Sequence, residues 1–181
     1  MNRRAIIVLV ASLIGFASTS RADHLPANLL ARGRPETKLA GIDLRRVKLA
    51  EITKLYGPPT RVKAWEQDNP KFSNSYDYYW NRRGIELKVV VERVSGNEFI
   101  TYLDVKGPKT WRKIGTTGKG VRLGDSLRDL KRIYGGRFHL RNIPKFKIHD
   151  VMFQWRREEY SLVATLDRHN RIKGLALAAP E

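Results

Sequence analysis

The sequence predicts an α+β fold: a tandem repeat in which each unit holds one helix and about three antiparallel strands, with the helices packed on one side of the sheet or sheets. An apolar helical pattern ending in Tyr-Gly occurs twice, an aromatic segment follows each copy, and a segment that alternates apolar and polar residues comes next. Such alternation is the period of a strand with one buried face. Two copies are too few for a solenoid, so we expect the units, residues 41–110 and 111–181, to form one compact body.

The first unit opens with a predicted amphipathic helix. Leu49, Ile52 and Leu55 recur at every third position with Tyr56 beside them, which places an apolar stripe on one helical face. Gly57 and the two prolines after it end this helix. Residues 61–65 follow the helix and are assigned to no strand, a polar loop with Pro70 comes next, and residues 95–97 supply a turn between strands. The predicted strands are Tyr76–Trp80, Ile85–Val91 and Phe99–Val105.

The second unit repeats this order at a nearly constant spacing. Five residues match the helical pattern of the first unit at an offset of 78: Leu127, Leu130, Ile133, Tyr134 and Gly135. The aromatic and alternating segments follow at an offset of 75. The predicted strands are Phe153–Trp155, Tyr160–Leu166 and Ile172–Leu177.

The start of the second helix superficially resembles a phosphate-binding loop, because glycines and a lysine precede it. The glycine spacing matches neither a P-loop nor a dinucleotide fingerprint. Gly124, Asp125 and Ser126 are therefore expected to turn and cap the chain, with Ser126 and Asp129 forming a capping box.

The amino-terminal residues predict export. Residues 1–22 combine a basic start, an apolar run and a small-residue end at Ala22, which is typical of a secretory signal peptide. Residues 23–40 contain prolines and a glycine among polar residues and predict a flexible lead-in. We expect a periplasmic or extracellular protein with no transmembrane segment in the mature chain. Without cysteine it cannot carry a bacterial lipid anchor.

The composition indicates the kind of partner and excludes several chemistries. There are 35 Lys and Arg against 18 Asp and Glu, a net charge of +17, which favours attraction to an anionic surface. The lack of cysteine excludes disulfides and thiolate chemistry, and the spacing of the four histidines fits no metal motif. We therefore predict no cofactor and no metal.

The helical pattern, followed by its aromatic and alternating strands, resembles the small α+β module of the outer-membrane assembly lipoprotein BamE (SmpA/OmlA) superfamily. In its duplicated form it is similar to the β-lactamase inhibitory protein family, a tandem of such modules. The resemblance covers residues 41–177 and implies a non-enzymatic scaffold that presents a sheet to a partner. The lipoprotein's anchoring cysteine and the inhibitor's disulfides have no counterpart here.

The sequence therefore predicts a non-enzymatic binding or accessory protein for an acidic protein or an anionic envelope polymer. A nucleic acid would also suit the charge, but export makes it a less accessible partner. The alternative is a hydrolase of an envelope polymer that uses paired carboxylates such as Glu86, Glu158 or Asp167. Basic residues and one tyrosine expected to face outward make up the candidate binding surface: Tyr79, Arg82, Arg83, Arg128, Lys131, Arg132, Arg156 and Arg157.

Overall fold

The computed structural model describes residues 30–65, 75–82, 85–107, 115–143, 148–155 and 160–179, and it is dominated by one antiparallel sheet. The expected signal peptide lies outside the described residues. Two short helices are described, α1 at Leu49–Tyr56 and α2 at Leu127–Tyr134. The strands are β1 Lys38–Leu39, β2 Ile42–Asp43, β3 Arg61–Ala64, β4 Ser75–Arg82, β5 Ile85–Val94, β6 Asn97–Lys106, β7 His139–Ile143, β8 Ile148–Gln154, β9 Ser161–Leu166 and β10 Ile172–Ala178.

Strands β3 to β10 form a single eight-stranded sheet in the order β3-β4-β5-β6-β10-β9-β8-β7. The two halves of the chain join where β6 pairs with β10, with Leu103 opposite Leu177 and Val105 opposite Leu175. Strands β1 and β2 make a separate small hairpin. The turn between β5 and β6 is two residues long, and both Ser95 and Gly96 have positive φ, as tight hairpins of this length require.

One face of the sheet carries both helices and the core. Cross-strand neighbours Tyr78, Val89, Leu103, Leu177 and Leu162 lie on this helix face, and all are buried. At the end of α1, the carbonyl of Gly57 accepts a hydrogen bond from Trp80 Nε1 at 2.8 Å. On α2, Leu130 is fully buried, and the ring of Tyr134 lies 5.2 Å from that of Phe153.

The segment before β1 is packed, although residues 23–40 were expected to be a flexible lead-in. Glu36 is only 3% exposed, and its carboxylate accepts hydrogen bonds from the backbone N–H groups of Thr37, Lys38 and Lys119, each at 3.0 Å. The hydroxyl of Tyr134 donates to Glu36 Oε2 at 2.7 Å. This buried carboxylate therefore ties the amino-terminal segment to α2.

The predicted fold class is wrong. Of the described residues, 51% are in strands and 13% in helices, and β3 to β10 form one continuous sheet instead of a tandem of helix-plus-strand units. Each half contributes four strands to the sheet and not about three, because residues 61–64, which were assigned to no strand, form β3, and β7 was not predicted. Both missed strands lie at the edges of the sheet, where little apolar alternation is needed.

Candidate functional site

Exposed cations cluster around α2 and the turn that leads into β10. Arg128, Lys131 and Arg132 lie at i, i+3 and i+4 of the helix, opposite the buried side of Leu130 and Tyr134. Two arginines of the β9–β10 turn, Arg168 and Arg171, and one that precedes α2, Arg122, are also exposed. We call this set the α2 basic surface: Arg122, Arg128, Lys131, Arg132, Arg168 and Arg171.

Backbone hydrogen bonds hold the β9–β10 turn against the start of α2. The N–H of Leu127 donates to the carbonyl of Asn170 at 3.1 Å, and the N–H of Gly124 donates to the carbonyl of Ile172 at 2.7 Å. The guanidinium of Arg171 also reaches the carbonyl of Gly124, at 3.5 Å. The fold thus brings residues some forty positions apart to the same place.

The carboxylates near this surface bind main-chain N–H groups. Asp125 accepts from the N–H of Arg122 at 2.9 Å, and Asp167 accepts from the N–H of Arg171 at 2.9 Å. Asp129 accepts from the hydroxyl of Ser126 at 2.6 Å and from its N–H at 3.0 Å, and these two hydrogen bonds hold the Asp129 pKa below its ordinary value. Its distance to the Arg132 guanidinium is 3.7 Å. Within the described ranges, Arg122, Arg128 and Lys131 have no ion pair with a carboxylate, and Lys131 Nζ lies 5.3 Å from the centre of the Phe138 ring.

The capping box at the start of α2 is present: Ser126 Oγ accepts from the N–H of Asp129, and the Asp129 carboxylate accepts from the N–H of Ser126. Gly124 and Gly135 have φ of 89° and 88°, a conformation that favours glycine. In α1, Ile52 is fully buried, but Leu55 is 61% exposed and does not belong to the buried stripe. The remaining motif residues, Leu49, Tyr56, Leu127 and Ile133, are partly buried against the core.

Tyr79 lies on the opposite face of the sheet from both helices, away from the α2 basic surface. This polar sheet face has the cross-strand row Arg61, Tyr79, Lys88 and Asp104. Tyr79 is 4% exposed, and the Arg61 guanidinium lies 4.0 Å from the centre of its ring. Tyr79 is therefore not available as a surface anchor.

A buried polar network surrounds Tyr79. Asp77, which is 3% exposed, accepts from Tyr79 Oη and from Trp65 Nε1, each at 2.9 Å, and pairs with Lys88 Nζ at 3.1 Å. Burial, together with the hydrogen bond to Asp77, raises the pKa of Tyr79 to about 12. Because Asp77 is bonded by three donors, the network stabilises the sheet and leaves no free base for catalysis.

Most of the remaining predicted residues cannot be placed in a site. The side chains of Arg82, Arg83, Arg156, Arg157 and Glu158 lie outside what the structure describes. Glu86 stands on the polar sheet face opposite Lys106. Asp167 lies in the β9–β10 turn, where it binds the N–H groups of His169 and Arg171. Arg122, Arg168 and Arg171 were missing from the predicted surface, since the sequence gives no sign that the turn docks on α2.

The chain matches no protein-family model and no curated protein. It is similar to the crystal structure of a DUF4309 family protein (YjgB) from Bacillus subtilis, with 16% identity over 80% of this chain and 86% of that one, at a TM-score of 0.45. At that score, the similarity carries no information about function. Among the described residues, no helix combines the length and the apolar character needed to cross a lipid bilayer.

The expected resemblance to the BamE superfamily and to the β-lactamase inhibitory protein family is wrong. The described residues form mostly one eight-stranded sheet with two short helices instead of tandem α+β modules. The repeated Leu-x-x-Leu pattern was misleading because it describes only how an eight-residue helix packs on a sheet. Helices in many folds meet that requirement.

Proposed function

We propose that this is an exported binding or accessory protein whose α2 basic surface contacts an acidic protein or an anionic envelope polymer. The observation that carries the proposal is the concentration of exposed cations at α2 and the β9–β10 turn. Within the described residues, Arg132 pairs with Asp129 at 3.7 Å, whereas Arg122, Arg128 and Lys131 have no ion pair with a carboxylate. An anionic partner would supply the missing counter-charges.

Five of the six cations on this surface are arginines. A guanidinium presents several N–H donors in a planar fork that matches carboxylate, sulfate and phosphate groups. Backbone bonds from Leu127 and Gly124 fix the turn relative to α2, so the surface is held in place before a partner binds. Little ordering would then be required on association.

The test compares two variants that lose the same charge. Arg128→Gln/Lys131→Gln changes the α2 basic surface, whereas Lys48→Gln/Lys63→Gln removes two exposed lysines from α1's start and from β3. Fluorescence anisotropy with labelled poly-L-glutamate represents an acidic protein, and labelled lipopolysaccharide represents an envelope polymer. At low salt we expect the α2 variant to bind about tenfold more weakly and the control to change by less than about twofold.

Raising the salt concentration should weaken binding of the wild-type protein, because the contacts are between exposed charges. Equal losses in the two variants would mean that total charge matters and the surface does not. Binding that is insensitive to salt, or no binding to either polyanion, would refute the proposal.

A further inference from the structure

A cleft opens between α1 and the β1–β2 hairpin, separate from the α2 basic surface. Its volume is about 510 Å³, within the range of about 300–1,000 Å³ that is usual for small-molecule sites. Apolar side chains form its base: Ile42, Val47, Ile52 and Leu55. Gly41, whose φ of +75° favours glycine, also lines the cleft, and a Cβ built there would lie 4.0 Å from Leu55 Cδ2, an ordinary van der Waals distance.

Leu55 is the apolar group that an occupant of this cleft would cover. At 61% exposure it is the most exposed large hydrophobic side chain among the described residues, although Ile52, one turn earlier, is fully buried. Covering exposed apolar surface that already lines a concavity is favourable. The cleft thus has an apolar wall but no described side chain that covers it.

The rim of the cleft carries a small excess of available positive charge. Arg46 and Lys54 are exposed, and in the described ranges neither has a carboxylate within 4.0 Å. Asp43 also lines the cleft, but Arg45 binds both of its oxygens, at 3.0 and 2.7 Å, and holds its pKa at about 2. Glu51 is the one other carboxylate on the rim. The two exposed cations, Arg46 and Lys54, therefore outnumber Glu51, the one rim carboxylate that Arg45 does not bind.

We propose that this α1 cleft binds a single-chain amphiphile with an anionic head group, of which a long-chain carboxylate is the simplest example. The alkyl chain lies along Val47 and Leu55, and the head group lies at Arg46 and Lys54. Each buried methylene adds apolar contact, and the guanidinium of Arg46 can bind a carboxylate through two N–H groups. The proposal does not depend on the α2 basic surface.

The test titrates the full chain with three amphiphiles of equal chain length and different head-group charge: dodecanoate, dodecyl maltoside and dodecyltrimethylammonium, all below their micellar concentrations. Binding is followed by the backbone amide NMR signals of Gly41 and Lys54, which report on the cleft itself. We expect saturable shifts with dodecanoate, at about tenfold higher affinity than with the other two. Equal affinity for all three would refute the charge argument, and absence of shifts at both residues would refute the site.

Substitutions in the α1 cleft and elsewhere on the surface test whether dodecanoate binds in the cleft. Leu55→Ser and Arg46→Gln/Lys54→Gln should each weaken dodecanoate binding about fivefold or more. Val94→Ser, which changes another exposed apolar residue, at 55% exposure, should leave it unchanged. All these sites are exposed, so equal thermal unfolding temperatures are expected and checked. Unchanged affinity for dodecanoate in Leu55→Ser would overturn the proposal. A titration with anionic vesicles and a sedimentation experiment complete the test. The proposal is also overturned if only the vesicles shift the signals of Gly41 and Lys54, or if the shifts accompany dimerisation of the protein.

Discussion

The buried ion pair between Lys88 and Asp77 gives the sharpest test of how the sheet is stabilised. Their side chains are 10% and 4% exposed, and Nζ lies 3.1 Å from Oδ2. Replacing Lys88 by methionine keeps most of the side-chain volume and removes the charge. Asp77 is then left as a buried carboxylate with two neutral donors, Trp65 Nε1 and Tyr79 Oη.

The expected loss is about 3 kcal/mol. Removing one partner of a buried ion pair costs about 3–5 kcal/mol, because the other charge stays buried without compensation. The two remaining hydrogen bonds to Asp77 favour the lower end of that range, since bonds to a charged group each contribute about 1.5–3 kcal/mol. Removing both charges in Lys88→Met/Asp77→Asn should restore stability to within about 1 kcal/mol of wild type.

Urea denaturation followed by tryptophan fluorescence measures these differences. The control is Arg132→Met, which breaks an ion pair with Asp129 whose side chains are 74% and 30% exposed, and which should cost less than about 1 kcal/mol. A loss below about 1 kcal/mol in Lys88→Met, or a double variant no more stable than the single one, would refute this account of the network.

Three further predictions concern packing, capping and pH. Gly118→Ala should destabilise by about 1–3 kcal/mol in urea denaturation, because the new Cβ would lie 2.7 Å from Glu36 Oε1, whereas Gly136→Ala, with open space around it, should be neutral. Ser126→Ala should cost about 1 kcal/mol in the same assay through loss of the α2 cap. Burial raises the pKa of Asp104, partly offset by Lys106, so the folded state holds this proton to higher pH than the unfolded state, whose pKa is about 3.9. The stability that protonated Asp104 contributes is lost as the pH rises from about 3.9 through the raised pKa of the folded state. Asp104→Asn should therefore unfold at a higher temperature than wild type at neutral pH, but not below about pH 3.9.

The local features of the fold could be predicted from the sequence because each depends on neighbouring residues. The spacing of Ser126 and Asp129 determines the cap of α2, and the alternation along residues 85–91 determines β5. The order of Tyr78, Tyr79 and Trp80 placed Tyr79 on its own face of the sheet, as observed. Its burial was not predictable, since Arg61 and Lys88 cover it from neighbouring strands.

The features that depend on distant pairing could not be predicted. All four residues of β3, Arg61–Ala64, are exposed, so this edge strand lacks the one-sided apolar pattern of an inner strand. The sequences of β6 and β10 do not indicate that these two strands pair, yet their pairing joins the strands of the two halves of the chain into one sheet.

The net charge of +17 does not say where on the molecule the basic side chains lack acidic neighbours, and the structure does. Three aspartates of the polar sheet face are at least nine-tenths buried, and three near α2 bind backbone N–H groups: Asp77, Asp104 and Asp150, then Asp125, Asp129 and Asp167. Within the described residues, Arg122, Arg128 and Lys131 have no ion pair with any of these carboxylates. The proposed anionic partner depends on this local excess of positive charge and not on the charge count alone.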